Sequence, residues 1–78
     1  MFEVVDHLSG TTSSHPTQAQ ALAAGRLLAR RLAQARGLGA VVEEPTVCDV
    51  LLCGTVLDET GEVIDLEPLV WIEPASVV

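Results

Sequence analysis

Seventy-eight residues allow one domain, and a domain this short buries proportionally little of its surface. Hydrophobic residues make up 49% of the chain and its mean hydropathy is +0.42, so apolar groups must stand on the surface or lie under a partner. A formal net charge of −7 opposes non-specific binding to duplex DNA, and two cysteines do not make a disulfide framework.

Charge is segregated along the chain. All four basic residues, Arg26, Arg30, Arg31 and Arg36, fall in one stretch, and the eleven acidic residues lie outside it. The first residues carry neither the basic nor the apolar region of a secretory leader. No apolar run approaches the roughly 18 residues of a membrane span. The expectation is a cytoplasmic protein with no membrane segment.

Phe2 to Leu8 reads as a strand, ended by a Ser9-Gly10 turn. Thr11 to Ser14 fits a short second strand or a loop. Thr17-Gln18-Ala19-Gln20 has the form of a capping box, opening a helix from about Gln18 to Arg36. Gly37 suits the left-handed residue after the helix. At helical spacing Ala21, Ala24, Gly25, Leu28, Leu32 and Ala35 share one face, with Leu28 and Leu32 as anchors. Arg26, Arg30 and Arg31 form the opposite, basic face. Ala40 to Glu44 is a strand or a loop before Pro45.

Val47 to Leu57 and Val63 to Ile72 read as strands. Glu59-Thr60-Gly61 fits a three-residue hairpin loop with Gly61 left-handed. The regular register that follows pairs Leu57 with Val63, Val56 with Ile64, Gly54 with Leu66 and Val50 with Val70. Cys48, Val50, Leu52, Val56, Ile64, Leu66, Val70 and Ile72 then share an uncharged face suited to the helix. The opposite face carries Asp49, Leu51, Cys53, Thr55, Asp65, Glu67, Leu69, Trp71 and Glu73. The predicted fold is α+β: one amphipathic helix on a three- or four-stranded antiparallel sheet, in β(β)αββ order, as a single domain over 1–78. Residues 74–78 are expected to fray.

That second face supplies the candidate interface: Leu51, Leu69, Trp71 and Cys53, with Leu57 and Val63 at one end. Asp49, Asp65, Glu67 and Glu73 form an acidic rim. An apolar centre with a polar rim is the pattern of an interface, unless the chain's own loops cover it. A homodimer is the partner expected there, offset or with arginines neutralising the rim. No catalytic, cofactor or metal site is expected. His7, His15, Cys48 and Cys53 lack the spacing of a zinc site, and no glycine-rich phosphate loop opens a helix. Glu59-Thr60-Gly61-Glu62 resembles the hairpin degron read by kelch-type ubiquitin-ligase adaptors. Leu57 stands where that motif carries an upstream Asp, and a glycine-bulge turn accounts for the same residues.

The functional expectation is a small acidic, non-enzymatic protein-interaction module: an accessory protein, adaptor or inhibitor of a host protein. Its size fits a phage or mobile-element origin. One alternative is an acidic mimic of nucleic acid that blocks a DNA- or RNA-binding protein. Another is a nucleic-acid binder using the arginine face, which the net charge disfavours.

Overall fold

The helix begins and ends where its capping residues place it. In the computed structural model, which describes residues 1–47 and 49–75, α1 spans Gln18–Ala35. Thr17 is extended, and its hydroxyl accepts from the Gln20 N–H at 3.2 Å. At the other end Gly37 has φ +68. The Leu38 N–H donates to the Ala33 carbonyl at 2.8 Å and the Gly37 N–H to Gln34 at 3.2 Å. This Schellman pattern satisfies carbonyls that have no partner within the helix.

Five strands surround it in sequence: β1 Phe2–Asp6, β2 Thr12–His15, β3 Val41–Pro45, β4 Val50–Leu57 and β5 Val63–Pro74. They form one antiparallel sheet in the order β2-β1-β5-β4-β3. The fold is α+β, with one helix packed on the sheet. Both ambiguous segments are strands, which makes five rather than three or four. Each is an edge strand, and the polar Thr-Ser-Ser-His of β2 and the Glu-Glu-Pro of β3 suit an edge. Pro74 pairs with Phe2 and the Ala75 N–H donates to the Met1 carbonyl, so 74 and 75 do not fray; Ser76 to Val78 lie outside the described residues.

The hairpin loop forms as its residues dictate. Gly61 has φ +88, and the Asp58 N–H donates to Glu62 at 2.9 Å. The Asp58 carboxylate accepts from the Thr60 hydroxyl and from the Thr60 and Glu62 N–H groups. The Thr60 hydroxyl, followed by the backbone donors, holds Asp58 below the usual carboxylate range.

Beyond the first pair the regular register gives way. Leu57 faces Val63 as expected, but Val56 faces Asp65, Gly54 faces Glu67 and Val50 faces Ile72. Two bulges, at Ile64 and Leu69, insert one residue each into β5. Pro68 accounts for the second. It has no N–H to give a ladder, and within a central strand proline belongs at a bulge. Each bulge inverts the alternation of faces, so the two cancel. Val70 and Ile72 point to the helix as expected, whereas Ile64, the bulge residue, and Leu66 do not. Ile64 is 63% exposed.

The core lies between helix and sheet. Val4, Leu52, Leu69, Val70 and Ile72 are buried against Ala21, Ala29 and Ala33. The fully buried stripe of the helix is Ala21, Gly25, Ala29 and Ala33, rotated from the expected face. Leu28 and Leu32 flank it, partly buried, and Ala35 is exposed. Small residues let the helix lie close. A Cβ on Gly25 would stand 2.9 Å from Ile72 Cδ1 and 3.2 Å from Leu52 Cδ1.

Candidate protein-interaction face

Cross-strand partners share a face, so the contacts of the helix sort the whole sheet. Leu52, Gly54, Ile72, Glu43 and Glu67 face the helix layer. Gly25 lies against Leu52 and Ile72, Gly54 lies beneath Leu38, and Arg26 and Arg36 ion-pair with Glu43 and Glu67. The opposite face presents Val5, Trp71 and Leu51 in one row. Val42, Cys53 and Pro68 form the next. Thr55 with Leu66, and then Leu57 with Val63, continue it toward the hairpin loop. No helix packs on this face among the described residues, but the segment after the helix borders it: Gly39 lies against Thr55 and Leu57, and Thr55 is only 4% exposed.

Trp71, Leu51, Val5, Val42 and Leu66 are half-buried there, and Leu57 and Val63 are exposed. The His7 ring leans on Trp71, with centroids 5.1 Å apart and planes tilted by 56°. From Leu51 to Leu57 the apolar stripe runs for about 20 Å at about 3.3 Å per residue.

Several expected members stand elsewhere. Leu69 is the bulge residue and is fully buried in the core, so it is not part of the interface candidate. Cys53 belongs to the outer face but is only 2% exposed, flanked in register by Val42 and Pro68. Burial first, and then the nearby Glu44 carboxylate, push its thiol pKa up. It is therefore poorly placed to cross-link a dimer. Cys48, expected in the core, lies outside the described residues.

The acidic rim is also redrawn. Glu67 faces the helix layer and pairs with Arg36. Asp65, opposite Val56, is on that side too, where its carboxylate accepts from the Leu66 N–H at 2.8 Å. Glu73 does lie on the open face, and Asp49 immediately precedes β4. Glu3, directly opposite Glu73, and Glu44, opposite Leu51, join them. Like charges placed opposite each other cost stability in a sheet. The open face thus has Glu3, Glu44 and Glu73 around the Trp71 end of the stripe, whereas Asp58 and Glu62, next to Leu57 and Val63, alternate to the helix side and the Asp58 carboxylate is folded into the hairpin loop.

The basic helix face is partly neutralised. Arg26 forms a two-pronged ion pair with Glu43, its second contact at 3.2 Å. The hydrogen bond from Arg26, offset in part by burial and aided by the guanidinium charge, holds Glu43 below the usual range. Arg30 and Arg31 stay exposed. Arg30 borders an open cleft of about 360 Å³ beside Ala33, Gln34, Leu38 and Val41, in which it is the one ionisable side chain. Among the described residues no three His, Cys, Asp or Glu side chains gather as a metal site, and no helix is long and apolar enough to cross a membrane. Comparison with protein-family models, curated proteins and solved structures finds no match to this chain.

Proposed function

We propose that this chain is a small non-enzymatic protein-interaction module whose docking surface is the open face of its sheet. The apolar side chains Trp71, Leu51, Leu66, Leu57 and Val63, half-buried or exposed on the face away from the helix, with Glu3, Glu44 and Glu73 around the Trp71 end, carry this reading. A sheet needs cover on its apolar face, and this chain spends its one helix on the other. Accessory, adaptor and inhibitor roles all require such a surface, and none needs a catalytic group.

The homodimer expected from the sequence would use the same face. The version in which a second copy's arginines neutralise the rim is opposed by the fold, because Arg26 and Arg36 are paired on the helix side. The same pairing leaves only Arg30 and Arg31 for a nucleic-acid contact. An acidic mimic of nucleic acid has no use for an apolar stripe beside its carboxylates.

Photo-cross-linking tests the reading. A photoreactive residue at Leu66 is expected to capture one discrete protein in cells of the source organism, whereas the same residue at Ala23, on the outer side of the helix, captures none. Equal capture from both positions would defeat the assignment of this face.

A further inference from the structure

We propose that the free edge of β3, with the cleft between it and α1, binds the C-terminal end of another protein's chain. The guest is taken up as an added strand, with its α-carboxylate on Arg30. This site goes beyond the open-face reading and lies apart from Trp71, Leu51 and Leu57.

β3 ends the sheet, and its bonds to β4 fix which of its backbone groups are free. The Thr55 N–H donates to the Ala40 carbonyl at 3.2 Å, and the Thr46 N–H donates to the Asp49 carbonyl at 2.7 Å. Antiparallel pairs alternate between bonded and non-bonded, so Val42 and Glu44, opposite Cys53 and Leu51, turn their N–H and C=O groups inward. Val41 and Glu43 turn theirs outward. Pro45 follows at the next outward position, where its missing N–H costs the sheet nothing. The edge therefore offers a short ladder at Val41 and Glu43, which is what an extended segment needs to join as a strand.

That ladder ends at the cleft of about 360 Å³, between Arg30, Ala33 and Gln34 of the helix and the segment from Leu38 to Val41. Ala33, Leu38 and Val41 give it apolar walls for a small side chain. Arg26 and Arg36 are held by Glu43 and Glu67, whereas Arg30 has no ion pair among the described residues. A carboxylate can take both prongs of a free guanidinium. Chain polarity follows from this charge. A guest antiparallel to β3 passes Glu43 first and reaches Val41 and Arg30 with its carboxyl end. A guest parallel to β3 would start there with an ammonium. Glu43 and Glu44 oppose acidic side chains along the rest of the edge, so one terminal carboxylate is admitted where an acidic segment is not.

Three acetylated pentapeptides test this on the intact chain: Lys-Thr-Val-Thr-Val with a free carboxylate, the same peptide as its C-terminal amide, and the amide of Lys-Thr-Val-Thr-Glu. The net charge of −7 by itself favours the valine amide over the acid, because the amide carries one more positive charge. The acid is nevertheless expected to bind at least about tenfold more tightly, a difference of about 1.4 kcal/mol. In a magnetic resonance titration it should shift the Val41 and Glu43 amides. Arg30→Gln should remove the preference for the acid, and Arg31→Gln should leave it. Equal binding of acid and valine amide, or a preference that survives Arg30→Gln, would overturn the carboxylate site. A glutamate amide that binds as tightly as the acid would overturn the chain terminus as the source of the carboxylate. An acid that leaves the Val41 and Glu43 amides unmoved would overturn the docking edge itself. The open face stands or falls separately, by cross-linking at Leu66.

Discussion

Gly54 shows how closely single residues determine this core. A Cβ there would stand 2.5 Å from Leu38 Cδ1, 3.1 Å from Leu38 Cβ and 3.2 Å from Leu69 Cδ1. The backbone of β4 is thus the seat of the side chain that follows the helix cap. Gly54→Val is expected to cost about 1–3 kcal/mol by overpacking, read from denaturant unfolding. Asp6 is a second such position. Burial raises its pKa, but the Ser9 and Leu8 N–H groups, at 3.2 and 2.9 Å, outweigh this and leave it lowered. A carboxylate lowered on folding contributes stability above its unfolded pKa and loses it as pH falls through the folded value. Asp6→Ala should therefore cost about 1–3 kcal/mol at neutral pH and much less at about pH 2. Equal losses at both pH values would refute an ionised role for Asp6.

At the scale of elements, β5 is the strand that sets the two faces. Its bulges at Ile64 and Leu69 have the same effect on register but different surroundings. Ile64 is exposed and Leu69 fully buried. Removing either residue restores regular pairing locally and keeps the rest of the strand on its faces. Deletion of Ile64 should leave a cooperatively folded protein with little change in melting temperature. Deletion of Leu69 empties a core site and forces Pro68 into a regular ladder. It should cost at least the roughly 2–5 kcal/mol of a buried Leu→Ala change. Thermal unfolding of the two variants decides the matter, and similar destabilisation would mean that the bulges are not as described.

For the whole molecule, the sheet has one covered face and one open face, and the charges are divided accordingly. The long axis of 47 Å, against 24 and 19 Å, leaves the hairpin and its apolar residues Leu57, Val63 and Ile64 exposed. The net charge of −7, with Glu3, Glu44 and Glu73 on the open face, should hold the isolated chain apart from its copies at neutral pH and low salt. Glu3→Gln, Glu44→Gln and Glu73→Gln in combination should then raise self-association, seen as a larger sedimentation coefficient at the same concentration. Adding Trp71→Ser should reverse it. A wild-type chain that already sediments as a dimer at low micromolar concentration would contradict this.

Local chemistry was enough to determine the helix, its caps and the hairpin loop. Thr17, Gly37 and Gly61 act within a few residues of themselves, so their geometry is written in neighbouring sequence. Leu51 and Trp71 on the open face were legible from alternation along two strands. The bulges were decided by tertiary pairing, although Pro68 was their one visible signal. Reading β5 as a regular strand misplaced Ile64, Leu66, Leu69, Asp65 and Glu67, because one inserted residue turns every later side chain over until a second restores it. Glu3 and Glu44 entered the rim only through the pairing of β1 with β5, which spans most of the chain, and of β3 with β4. The segregation of charge belongs to the sequence; which carboxylates meet arginine and which face outward was settled by the layering of helix on sheet. A helix can cover one face, and the small residues Ala21, Gly25, Ala29 and Ala33 bring it close to Leu52 and Ile72, leaving Trp71 on the other side.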